Sequence, residues 1–91
     1  MKVYNDERVD RTIRSLVDEN SSEIIGTIGL FRDYGFTLST LYLKKLTKEI
    51  WELRARRFRL LFGMRGKDAI IVNIFYKKNP KDSKEGDEIS N

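Results

Sequence analysis

Val9, Ile13, Leu16 and Val17 recur at the three- and four-residue spacing of one helical face. That pattern predicts an amphipathic helix over residues 9 to 19, with its charged side chains outside. A short edge strand is expected just before it, over residues 2 to 4. The helix is expected to stop near Asn20, where Ser21 or Ser22 can cap a second one. Glu23 then suits the first turn, and Ile24, Ile25, Ile28 and Phe31 share a face. Gly35 is the natural terminator. Gly26 and Gly29 lie inside this second helix, where each costs up to about 1 kcal/mol relative to alanine. They are therefore expected to permit close approach of the first helix, ahead of the alternative that they form a groove for a partner.

Beyond Gly35 the pattern changes period. Residues 36 to 48 hold Leu38, Leu41, Leu43 and Leu46 beside Lys44 and Lys45, which reads as a short helical turn or a loop leading into a sheet. Strand-like alternation follows over residues 49 to 55, 58 to 64 and 69 to 76, with Arg65-Gly66-Lys67-Asp68 as a hairpin turn. If Arg56 and Arg57 connect the first two of these strands, Ala55 faces Phe58 and the register is fixed. Leu53 then pairs with Leu60 and Trp51 with Phe62, making one face apolar and ready to pack on the helices. The other face sets Arg54 opposite Arg59, Glu52 opposite Leu61 and Ile50 opposite Gly63. By the same parity Ile70, Val72, Ile74 and Tyr76 join the core, while Ile71, Asn73, Phe75 and Lys77 share the face of the two arginines.

Two guanidiniums directly across a ladder repel unless an anion lies between them, and arginine's planar donor fork matches phosphate oxygens. The alternatives are that the pair splays into water or that Glu52 neutralises one member. Phe75 on this face either packs under the tail or stacks on a base. Lys77, Lys78 and Lys81, at the exit of the last strand, either complete a phosphate site or serve only to discourage edge pairing.

Composition narrows the chemistry. Ninety-one residues, 40% of them hydrophobic, suffice for one domain with one core, here residues 1 to 91 with residues 79 to 91 as a loosely held, charged tail. The net charge is only +4, yet residues 44 to 67 carry 9 basic side chains against 2 acidic ones. Such a local excess is the footprint of a polyanion binder. No cysteine is present, so disulfides and thiolate metal sites are excluded and a cytoplasmic address is expected. No apolar run suggests a signal peptide or a membrane span. The chain contains no histidine, which removes the usual general base and any histidine-ligated zinc. No metal or cofactor is expected.

The run Tyr42-Leu43-Lys44-Lys45-Leu46, then Trp51-Glu52-Leu53-Arg54, Phe58-Arg59-Leu60-Leu61-Phe62 and Phe75-Tyr76-Lys77-Lys78, resembles the phage-derived, HigB-like branch of the RelE/ParE toxin superfamily. The resemblance covers nearly the whole chain. It implies an α+β fold, two N-terminal helices packed on a twisted, mostly antiparallel sheet, and a neighbouring antitoxin, commonly a helix-turn-helix protein. It also implies the toxin of a type II toxin–antitoxin system, a metal-independent endoribonuclease that cuts messenger RNA on the ribosome and so inhibits translation. By position, Arg54, Arg59, Lys77 and Lys78 match the family's catalytic cations. Lys44 and Lys45 match its Lys-Lys-Leu, which either touches ribosomal RNA or is merely solvated, and Arg56, Arg57 and Lys81 extend the basic surface as further RNA-binding candidates. Where related toxins often carry a histidine before the last strand's phenylalanine, this chain has Ile74, which leaves Glu52, Tyr76 and the lysines as candidate acid or base. The competing expectations on the same scaffold are a ParE-like gyrase poison and a non-catalytic module that binds RNA or an antitoxin.

Overall fold

The computed structural model describes residues 1 to 77; the expected tail, with Lys78 and Lys81, lies outside them. Strand β1 (Val3–Asn5) leads into helices α1 (Glu7–Ser15) and α2 (Asp18–Tyr34), a 3-10 turn (Gly35–Thr37), and strands β2 (Leu43–Lys45), β3 (Ile50–Ala55), β4 (Phe58–Arg65) and β5 (Asp68–Tyr76). The five strands form one sheet in the order β1-β5-β4-β3-β2. Only the β1–β5 pairing is parallel. The expected architecture, two N-terminal helices on a mostly antiparallel sheet, is the one that forms.

Helix α1 begins earlier than its apolar spacing suggested, because Asp6 caps it: its carboxylate accepts from the Arg8 backbone N–H at 2.8 Å. It also ends earlier, at Ser15, because Leu16 and Val17 are extended. Leu16 packs against the core, whereas Val17 is 65% exposed and contributes nothing to the buried face. Helix α2 consequently starts at Asp18, and the cap expected of Ser21 or Ser22 is absent. Ser21 sits inside the first turn, its hydroxyl donating back to the Asp18 carbonyl, while Asp18 and Glu19 face the positive end of the helix dipole. Gly35 does terminate α2, at a φ of 58° that favours glycine. The expectation for Gly26 and Gly29 fails: a methyl group at Gly26 would meet no atom within 4 Å, and one at Gly29 would touch only the Arg32 side chain.

The core lies between the helices and one face of the sheet. Val9 and Ile13 from α1 and Ile24, Ile28 and Phe31 from α2 cover Leu53, Ala55, Phe58, Leu60, Phe62, Ala69 and Ile71. Phe31 packs on Phe62 at 4.6 Å between ring centroids, and the turn after α2 brings Phe36 within 4.8 Å of Trp51. The β3–β4 register matches the sequence expectation at every pair, from Ala55 opposite Phe58 to Ile50 opposite Gly63. The β4–β5 hairpin closes through Gly66, whose φ is 64°.

Strand β5 departs from the expected parity. The register shifts between Leu61 and Phe62, so that Leu61 faces Asn73 while Phe62 faces Ile71 and Val72 is left as the extra residue. The bulge inverts which side chains point inward in the first half of the strand. Ala69 and Ile71 are fully buried, Ile70 lies opposite Gly63 on the other face, and Val72 is 40% exposed. In the second half, Ile74 and Phe75 keep their expected sides.

Candidate nucleic-acid interface

The sheet face turned away from the helices carries the candidate site. Its central row runs across three strands, Arg54 on β3, Arg59 on β4 and Phe75 on β5, each directly opposite the next. The adjacent row is Lys44 on β2, Glu52 on β3, Leu61 on β4 and Asn73 on β5. Arg54 and Arg59 therefore share one side of the ladder, as the two-residue turn at Arg56-Arg57 requires.

Each guanidinium is held. The Arg54 Nε donates to Glu52 Oε1 at 3.1 Å, which is the neutralising contact that the sequence left open as an alternative. The Arg59 Nη1 donates to the carbonyl oxygens of Arg56 and Phe58, tying the side chain to the hairpin turn. Its Nε is buried and finds no hydrogen-bond partner among the described residues. Burial pushes the Arg59 guanidinium below its ordinary pKa; Glu52 opposes this shift and the neighbouring Arg54 charge adds to it. The three side chains thus form one electrostatic group. Glu52 is 7% exposed, whereas Phe75 stands 42% exposed beside Arg59.

The other candidate residues divide between the two faces. Lys44 lies opposite Glu52, on the arginine side. Lys45, one residue on, is paired with Trp51 on the helix side, its Nζ 5.5 Å from the indole centroid. The two lysines therefore lie on opposite faces of the sheet. Arg56 adopts a φ of 58° and pairs with Glu23 of α2 at 3.3 Å. Tyr76 is opposite Phe58 on the helix side, the rings 5.0 Å apart. It lines a cleft of about 160 Å³ with Glu19, Asn20, Glu23, Arg56, Arg57 and Phe58. Tyr76 is thus not brought to Arg54 and Arg59, whereas Glu52 is. The Lys77 backbone N–H donates to the Arg57 carbonyl at 2.6 Å, which extends the β4–β5 ladder past the last pair and sets Lys77 beside the turn.

Sequence reasoning missed the separation of Lys44 from Lys45 because residues 36 to 48 did not read as a strand. The signal was three residues long: Leu43 buried, then two lysines, in a strand with solvent on its far edge. It missed the cleft at the hairpin tip entirely, since Glu19 and Glu23 lie one turn apart on a helix face and reach the turn only through tertiary packing.

Among the described residues no helix is long and apolar enough to cross a membrane. No curated protein matches the chain in sequence. In structure it is similar to the RelE chain of an archaeal RelE–RelB complex from Pyrococcus horikoshii OT3, with a TM-score of 0.68 at 12% identity over 86% of this chain and 96% of that one. It is also similar to the isolated E. coli RelE toxin, with a TM-score of 0.66 at 11% identity over 93% of both chains. Residues 11 to 89 match the sequence profile described as Phage derived protein Gp49-like (DUF891). With that profile spanning most of its length and its strands and helices arranged as in those two structures, the chain belongs to the phage-derived Gp49-like family and has the RelE fold.

Proposed function

We propose that this protein is the toxin of a toxin–antitoxin pair, a cytoplasmic, metal-independent endoribonuclease that cuts messenger RNA on the ribosome. The single observation that carries the reading is the row of Arg54, Arg59 and Phe75 across the open face of the sheet, two cations for a phosphate beside an exposed ring for a base. Cutting RNA by driving a ribose 2′-hydroxyl onto the neighbouring phosphate builds negative charge on the phosphoryl oxygens, and preorganised guanidiniums stabilise it. Lys44 and Lys77 extend the same positive surface, and Lys78 and Lys81 follow in sequence. The family and the RelE fold support both the activity class and an antitoxin partner, because one of the similar structures is a RelE–RelB complex.

Inducing the protein in a bacterium is expected to arrest growth and to leave cuts with 5′-hydroxyl ends in translated messages. Growth arrest with DNA damage and intact messages points instead to a gyrase poison. Unimpaired growth, with purified ribosomes leaving the message whole, removes the nuclease reading.

A further inference from the structure

The acid nearest the two arginines on their face of the sheet is Glu52, the one charged residue among the described residues that falls in the buried class. Glu52 stands in the middle of β3, opposite Lys44 on one side and Leu61 on the other, two residues before Arg54 on the same face. A leucine there would pack beside Leu61 and avoid removing a carboxylate from water. What the carboxylate gains instead, among the described residues, is the 3.1 Å hydrogen bond from Arg54 Nε and the nearby charge of Arg59. A guanidinium gripped through Nε has its plane set and presents its two terminal nitrogens outward as a fork. Those terminal nitrogens make no other hydrogen bond among the described residues. Arg59 is held from the opposite end of the hairpin by the carbonyls of Arg56 and Phe58.

We infer that Glu52 is a positioning residue: it holds Arg54 by the Nε edge so that the outer nitrogens meet an RNA phosphate between Arg54 and Arg59, and it transfers no proton itself. The inference rests on the reading of this face as an RNA-phosphate site. Of the two candidates Glu52 and Tyr76, Glu52 is the one that the fold brings to the arginines, and its role there is reassigned. In the absence of RNA the same carboxylate offsets the repulsion between the two guanidiniums.

The deciding variants are Glu52→Gln, which retains an oxygen acceptor for Arg54 but no titratable group, and Glu52→Leu, which fills the volume with no acceptor. Arg54→Ala and the Glu52→Leu/Arg54→Ala double variant complete the set. Two measurements apply: affinity for a short single-stranded RNA made uncleavable by 2′-O-methyl groups, and the rate of message cutting on ribosomes as a function of pH. Glu52→Gln is expected to bind within about threefold of the parent and to keep its pH–rate profile. Glu52→Leu is expected to lose about tenfold in affinity, as Arg54→Ala does, and the double variant to lose no more than either. A Glu52→Gln variant that falls as far as Glu52→Leu and loses one limb of the pH profile would make Glu52 a proton carrier. Parental affinity in Glu52→Leu would remove it from the site altogether. If the parent cuts nothing on ribosomes while the affinities follow the expected order, the nuclease reading fails and the positioning role stands. Glu52→Gln also covers the case in which Glu52→Leu does not fold, since its affinity relative to Arg54→Ala then decides alone.

Discussion

Arg59 concentrates the competing demands on this site. Its guanidinium is partly withdrawn from water, faces a second arginine, and spends Nη1 on two backbone carbonyls. Burial holds its pKa below the ordinary arginine range. A cation with a depressed pKa binds its proton less tightly when folded than when unfolded, so the penalty is fully present below the folded value and fades only as pH rises through it. The cost therefore does not vary across the neutral range. Replacing Arg59 with alanine removes that penalty together with hydrogen bonds worth roughly 1 kcal/mol each. Arg59→Ala is accordingly expected to fold, with a melting temperature within a few degrees of the parent and a stability difference flat between about pH 5 and 9, while losing RNA cutting. Loss of the cooperative melt, or a difference that changes steeply near neutrality, would show that Arg59 serves the fold before the site.

At the scale of elements, the β3–β4 hairpin was legible because strand parity is unforgiving: Trp51, Leu53, Phe58, Leu60 and Phe62 reach one face in one register only. The turn itself was harder to read, since Arg56 accepts a left-handed φ of 58° that glycine usually takes. Its side chain is steadied by Glu23, a contact between elements that no local pattern announces. Helix boundaries were misread for a related reason. Leu16 and Val17 continue the apolar spacing of α1, but the backbone turns there and exposes Val17 to reach the start of α2. The two helical glycines were over-interpreted. Gly26 is exposed with open space where a side chain would stand, so Gly26→Ala is expected to stabilise the protein by about 1 kcal/mol, measured by denaturant melts at an unchanged m-value. A destabilised Gly26→Ala would mean that something packs against that face.

Across the whole molecule, the basic run of residues 44 to 67 overstates what one face can present. Lys45 lies over Trp51 and Arg56 pairs with Glu23, both on the helix side, whereas Lys44, Arg54 and Arg59 share the open face. Binding of single-stranded RNA should then reflect few contacts, with log affinity falling by about 0.7 per phosphate per unit log salt. Arg54→Ala and Lys44→Ala are each expected to flatten that slope by about one contact, and Arg56→Ala to leave it unchanged. An equal change for Arg56→Ala would place RNA on both sides of the sheet. The fold class and the arginine pair were readable from sequence because both depend on short-range periodicity. The division of charges between faces was not, because it depends on an edge strand three residues long and on helix contacts distant in sequence.

The extra residue at Val72 sets which ring accompanies the arginines. With it, Phe62 meets Ile71 while Arg59 still meets Phe75. Were the ladder to run on unbroken from Ile71 opposite Phe62, Ile74 would stand beside Arg59 and Phe75 would be turned to the helix side. The unpaired residue thus lets one strand serve two masters, an aliphatic core at its start and an aromatic neighbour for Arg59 at its end; excising Val72 is expected to straighten the strand and leave that neighbour in place.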